Sequence, residues 1–185
     1  MTAATAQPPK TARQIARRSH LERFAVRSIR SHKEWAESHV ILGAGPYKNQ
    51  PFRVARQPFT GLLFEEFDRG CWNEIYISGP SQSSKSLCGF VIPTLRDVHE
   101  LRLDALVGTP EADMMSDKWD KDFMPVLDNS PALTHLIPKH GPGSKGGRIK
   151  DRITLGSGID IKIMTRGGSD TNKAGYSAPR IRLTE

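Results

Sequence analysis

The residues of this 185-residue chain with the most specific chemistry are Gly79-Pro80-Ser81-Gln82-Ser83-Ser84-Lys85-Ser86. They fit the spacing G-x-x-x-x-G-K-[ST], except that Ser84 stands where the second glycine belongs. A small-residue loop of this length, entered from a strand and left by a helix, turns successive backbone N–H groups toward one point and so binds phosphate oxygens. Lys85 would place a full positive charge at the outer phosphates, and Ser86 would offer its hydroxyl oxygen to Mg²⁺. A Ser-rich segment followed by lysine also describes an ordinary capped strand-to-helix turn. Context decides between the two, and here Glu74–Ser78 (EIYIS) has strand character while the residues after Lys85 are helical in pattern.

Nucleotide hydrolysis also needs a carboxylate at the end of a second strand, to hold the metal or to orient the attacking water. Glu185 is the candidate. Arg180–Thr184 reads as a strand with Ile181 and Leu183 on one face, which brings Glu185 to the C-terminal end, where open α/β sheets bind ligands. Either Glu185 is one member of an acidic pair, or that strand is purely structural. The six histidines have no ligand spacing, so a zinc site is not expected. Trp72 and Trp119 read as packing residues rather than base-stacking platforms.

The elements that must position the loop follow from periodicity. QPFTGLLFEEFDRG predicts a short helix ending at Gly70, and residues 34–57 read as irregular after Trp35. Lys85–Glu100 predicts a helix that Pro93 kinks or shortens. Ala105–Gly108 predicts a strand, and a helix initiated by Pro110 follows, whose Asp113, Asp117, Lys118, Asp120, Lys121 and Asp122 read as a solvated face. This β-α-β-α alternation predicts a parallel sheet. Residues 138–152 form a basic, Gly-rich loop expected to face solvent, and Ile153–Leu155 with Ile159–Met164 predict a hairpin about Gly156-Ser157-Gly158.

Charge is localised. Residues 1–33 hold eight Lys or Arg and one acid, so the chain's formal charge of +7 lies there and the remainder is neutral. Residues 1–10 have the composition of a disordered segment, and residues 11–31 read as a basic amphipathic helix. That helix is a solvated face packed on the domain, a nucleic-acid or partner contact, or a presequence. The two cysteines, Cys71 and Cys88, form no CxxC, and with no secretory h-region upstream they point to a reducing cytoplasmic setting. No apolar run approaches the roughly 20 residues of a membrane span.

From about residue 33 to residue 185 the chain resembles the large terminase subunit of tailed bacteriophages, in the lambda-type family. The blocks carrying the resemblance are Glu34-Trp35-Ala36, the stretch Gly45–Phe59, the degenerate phosphate loop with Leu87 and Gly89 behind it, and Gly108–Asp113 with Phe123–Leu127 downstream. Lys150–Leu155 and Gly167–Ala178 complete the set. The resemblance implies a P-loop NTPase of the RecA/ASCE-like type, a parallel sheet flanked by helices, incomplete at its C-terminus. The organisation expected is a basic N-terminal segment, 1–33, and an ATPase domain, 34–185, with the family's nuclease domain absent. It implies an ATP- and Mg²⁺-dependent motor that packages double-stranded DNA, partnered by the small terminase subunit, a portal and procapsid, and further copies of itself. By motif, Gly79, Lys85 and Ser86 would contact nucleotide, and Glu185 would belong to the metal-binding or catalytic acids. Gln57 or Thr60 would lie near the base.

The chain departs from the family pattern at Ser84 and in lacking an arginine between Gly79 and Lys85. Lys173, Arg166 or a neighbouring subunit would have to supply that charge. The alternative function is a DNA-binding or assembly module with a vestigial phosphate loop, and a small-molecule kinase is a third reading.

Overall fold

The computed structural model describes residues 28–147, 149, 151–165 and 178–184. Most of the basic leader, with Arg166, Lys173, the block 167–177 and Glu185, lies outside the described residues. Residues 28–30, expected to close the leader helix, are not helical. A new helix starts just beyond them: α1, His32–His39, is nucleated by a capping box in which the Ser31 hydroxyl accepts from Glu34 N and the Glu34 carboxylate accepts from Ser31 N. Helix α2, Phe59–Arg69, ends where expected, at Gly70 with φ +62°, a left-handed position that glycine adopts without a side-chain clash.

Helix α3 spans residues 86–101 without a break. π-type turns over Ser86–Val91 and Asp97–Leu101 flank an α-type turn, Ile92–Arg96. Pro93 therefore does not end it. The wider turn ahead of the ring leaves room for a residue that has no N–H to contribute. Arg102, at φ +57°, then reverses the chain into β1, Ala105–Thr109. Helix α4 covers 112–129, again with a central π-type turn, Trp119–Phe123.

The molecule is mixed α/β, with helices packed around a mostly parallel four-stranded sheet. Strand β2, Arg152–Thr154, pairs antiparallel with β3, Asp160–Thr165, as the hairpin reading expects, and the order across the sheet is β2-β3-β1-β4. Strand β1 runs parallel to β3 (Val107 opposite Ile163) and to β4, Ile181–Leu183 (Val107 opposite Arg182). All five residues of β1 are buried, as a central parallel strand covered on both faces requires. Around it close Trp35, Phe64, Ile92, Leu95, Phe123 and Ile161.

The structure overturns several expectations. Glu74–Ser78 is extended and exposed along its whole length and joins no strand of the sheet. Its alternating pattern is strand-like, but strand propensity is realised only against a neighbour, and the sheet ends at β4. Ile181 and Leu183 do share a face of β4, but it is exposed, while Arg182 points to the covered side. Trp72 is 56% exposed and donates its indole N–H to Glu66, whereas Trp119 is buried as expected. The loop 138–152 is not wholly solvated, because Gly143 is buried and its carbonyl accepts from Trp119 Nε1 at 2.9 Å. Cys71 is exposed and Cys88 buried. No helix among the described residues is long and apolar enough to cross a membrane.

Candidate phosphate-binding loop

The loop between the extended segment and α3 is curled tightly. Gln82 and Ser84 both take left-handed backbone angles, φ +59° and +60°. Ser84 occupies the glycine position of the motif, and its angle shows why glycine is preferred there. A residue with a Cβ pays on the order of 1 kcal/mol for that conformation. The Ser84 carbonyl accepts from Cys88 N at 2.8 Å, which opens the helix, and Ser83 Oγ donates to Pro80 O at 2.8 Å across the loop.

Lys85 does not point into solvent. Its ammonium folds back over the loop, donating to Pro80 O at 2.7 Å and to Gly79 O. Both acceptors are neutral, and Lys85 meets no carboxylate among the described residues. Ser86 Oγ accepts from Lys118 Nζ at 3.0 Å, a contact that arrives from α4. Gly79, Pro80, Ser81 and Gln82 are exposed, while Ser83, Ser84, Lys85 and Ser86 are half-buried against the body of the domain.

Helix α3 aims this loop at one edge of the sheet. Near its C-terminal end the Asp97 carboxylate, 3% exposed, accepts from Arg180 at 2.9 Å and from Arg182 at 2.6 Å, which ties that end to the beginning of β4. Ser86 precedes Asp97 by eleven positions, about 16 Å of helix. The Ser86–Lys118 contact sets the loop beside α4, the helix that follows the C-terminal end of β1. Behind it the extended segment leans on α3 through Ile77, which occupies the space where a side chain on Gly89 would be; a Cβ there would come within 2.6 Å of Ile77 Cδ1. Cys88 is packing, and burial pushes its thiol up to about 12.

Gln57 and Thr60, expected near the base, are not gathered at the loop, and Glu185 lies outside the described residues. The Gln57 carbonyl accepts from Thr60 N at 3.0 Å and Thr60 Oγ1 at 2.8 Å, so both residues serve the start of α2. Beside them a cavity of about 570 Å³ opens between α1 and α2, lined by Lys33, Glu37, Arg53, Pro58 and Leu62 among others, and none of residues 79–86 reaches it. Lys118, read from sequence as part of a solvated face, is instead in contact with Ser86 and only 18% exposed. The i,i+4 charge pattern of α4 gave no sign of it, because spacing does not say which helix faces which loop.

Mg²⁺ takes few protein oxygens and completes its shell with phosphate and water. Ser86 Oγ is one suitable oxygen, with a second lone pair beyond the one Lys118 uses. No group of three or more His, Cys, Asp or Glu that could hold a metal by itself occurs among the described residues. Comparison with family models, with curated proteins and with solved structures gives no match to this chain.

Proposed function

We propose that residues 79–86 bind the phosphates of ATP and that the chain is the ATP-hydrolysing part of a phage terminase large subunit, coupling hydrolysis to packaging of double-stranded DNA. The observation carrying the nucleotide reading is the Lys85 ammonium held over a left-handed, curled loop by carbonyls that are its only hydrogen-bond partners among the described residues. A cation so placed is available to an anion, because its neutral carbonyl acceptors are exchanged for charged phosphate oxygens when phosphate arrives. The P-loop NTPase assignment of the sheet and the link to DNA packaging rest on the sequence resemblance.

In this reading the loop N–H groups and Lys85 orient the phosphates, and Ser86 with Glu185 holds the metal. Bound Mg²⁺ would neutralise charge on the phosphate oxygens. Electrostatic positioning is the protein's main contribution to phosphoryl transfer. The test is Mg²⁺-dependent ATP binding measured by calorimetry on the wild type and on Lys85→Ala. Undiminished ATP binding by the variant would remove the reading.

One observation favours the second reading, a DNA-binding or assembly module whose loop is vestigial: Glu74–Ser78, which should enter the loop as a sheet strand, pairs with no strand among the described residues. That protein would bind DNA with a steep salt dependence, lose the binding on deletion of residues 1–33, and ignore Lys85→Ala.

A further inference from the structure

We propose that Lys118 is the second cation of the phosphate site and that its ammonium contacts the terminal phosphate of a nucleoside triphosphate seated in the loop. This rests on residues 79–86 being a nucleotide loop, and it locates the charge that the loop itself lacks, since no arginine lies between Gly79 and Lys85.

Three observations converge on Lys118. Its ammonium crosses from α4 to Ser86 Oγ at 3.0 Å, so it reaches the residue adjoining Lys85. Its environment differs from that of the neighbouring lysine on the same helix: Lys121 is 70% exposed and pairs with Asp117 at 2.6 Å, whereas Lys118 is 18% exposed and has Asp122 only at 3.5 Å. Finally, the shortest contact of Lys118 is with a neutral hydroxyl. Withdrawing an ammonium from water is costly unless strong acceptors replace the water. Among the described residues, two lysines thus converge on one loop with carbonyls, a hydroxyl and the Asp122 carboxylate paired to Lys118 at 3.5 Å as acceptors, so one of the two ammonium charges faces no carboxylate. A triphosphate satisfies that surplus better than a diphosphate, because its terminal group brings the additional charge and acceptor oxygens.

Lys118 also differs in origin from the loop lysine. Lys85 belongs to the loop and should contact any bound nucleotide, whereas Lys118 arrives on the helix that follows β1 and should sense the terminal phosphate. It is therefore a specificity-determining residue for triphosphate over diphosphate.

The test is titration of the full chain with Mg-ATP and with Mg-ADP, for the wild type, Lys118→Met, Lys118→Arg, Asp122→Asn and Lys85→Ala, with thermal melts alongside. Lys118→Met is expected to weaken ATP binding roughly tenfold or more, as loss of one charge-assisted bond implies, and to change ADP binding by less than about twofold. Lys118→Arg should recover much of the ATP preference. Asp122→Asn, which leaves the lysine in place, should keep it. Equal losses for both nucleotides, or no loss for either, in Lys118→Met would overturn the inference. If Lys118→Met melts early, a loss of ATP preference in Asp122→Asn or an unaltered Lys118→Arg with no preference would overturn it equally. A wild type that binds neither nucleotide, or a Lys85→Ala variant that binds both as the wild type does, would instead overturn the nucleotide-loop reading on which it stands.

Discussion

Helix α3 has two ends with opposite charge economies. At the Asp97 end a buried carboxylate is shared by Arg180 and Arg182, with Arg96 and Asp68 close behind, so each charge of the cluster faces an opposite one. At the Ser86 end Lys85 and Lys118 face, among the described residues, carbonyls, a hydroxyl and one carboxylate at 3.5 Å. Arginines and aspartates build the first end, lysines with a serine and one aspartate the second. The Asp97 cluster fixes β4 to α3 with its carboxylates already engaged, leaving only the buried Arg182 Nη1 without a hydrogen-bond partner among the described residues, whereas the unsaturated end is stable enough to form and still has an anion to gain. Disruption at the first end should therefore appear as lost stability, and at the second as lost binding.

The strongest way to break the contrast is Asp97→Ala. It leaves Arg182, 11% exposed, without its carboxylate, and removing one partner of a buried pair typically costs about 3–5 kcal/mol. Chemical denaturation should show the loss, and nucleotide affinity, corrected for the folded fraction, should hold.

Acid probes the same end. His32 is buried, and burial, reinforced by the nearby Arg96 guanidinium, lowers its pKa to about 4 against an opposing pull from Asp68. Its Nε2 is buried without a hydrogen-bond partner, which suits a neutral ring whose Nδ1–H donates to Asp68 at 2.6 Å. A group whose pKa falls on folding supports the native state fully above its unfolded value near 6.5. That support drains as pH drops from about 6.5 toward 4, because the unfolded chain takes up the proton first, with a limiting slope of about 1.4 kcal/mol per pH unit. His99, also lowered to about 4, acts in the same direction. Melts between pH 7 and pH 4.5 should show the decline, and a flattened profile in His32→Gln would assign it.

At the unsaturated end, Lys85→Ala should cost about 1.5–3 kcal/mol of ATP binding while the melting temperature stays near that of the wild type. A drop in melting temperature instead would mean that the lysine is structural and that the two ends are alike. The smallest effect belongs to Ser84. Comparing Ser84→Gly with Ser84→Ala isolates the left-handed backbone, and the glycine variant should be the more stable by about 1 kcal/mol in denaturant titration.

The sequence was legible where local chemistry decides the structure. Gly70 stops α2 because it takes a left-handed angle freely, and Gly156-Ser157-Gly158 turns the β2–β3 hairpin. The apolar run at β1 is continuous because both faces are covered. Helix α1 was missed, although Ser31 and Glu34 stand at capping-box spacing, because the glycine- and proline-containing residues that follow made the stretch read as irregular. What could not be read depends on neighbours distant in sequence. Ile75, Tyr76 and Ile77 alternate like a strand and yet have none beside them among the described residues. Lys118 has the spacing of a surface ion pair with Asp122, and only the packing of α4 beside α3 turns it toward Ser86.

The seat of Ile77 at Gly89 bears on the heat of binding. A loop delivered by a laddered strand arrives already ordered, whereas this one is steadied from behind by a methyl group resting in a notch. Anion capture would then have to immobilise the approach as well as the loop, so calorimetry should record a favourable enthalpy offset by an adverse entropy. Filling the notch with Gly89→Ala would dislodge the methyl and enlarge that entropic penalty without touching a single phosphate contact.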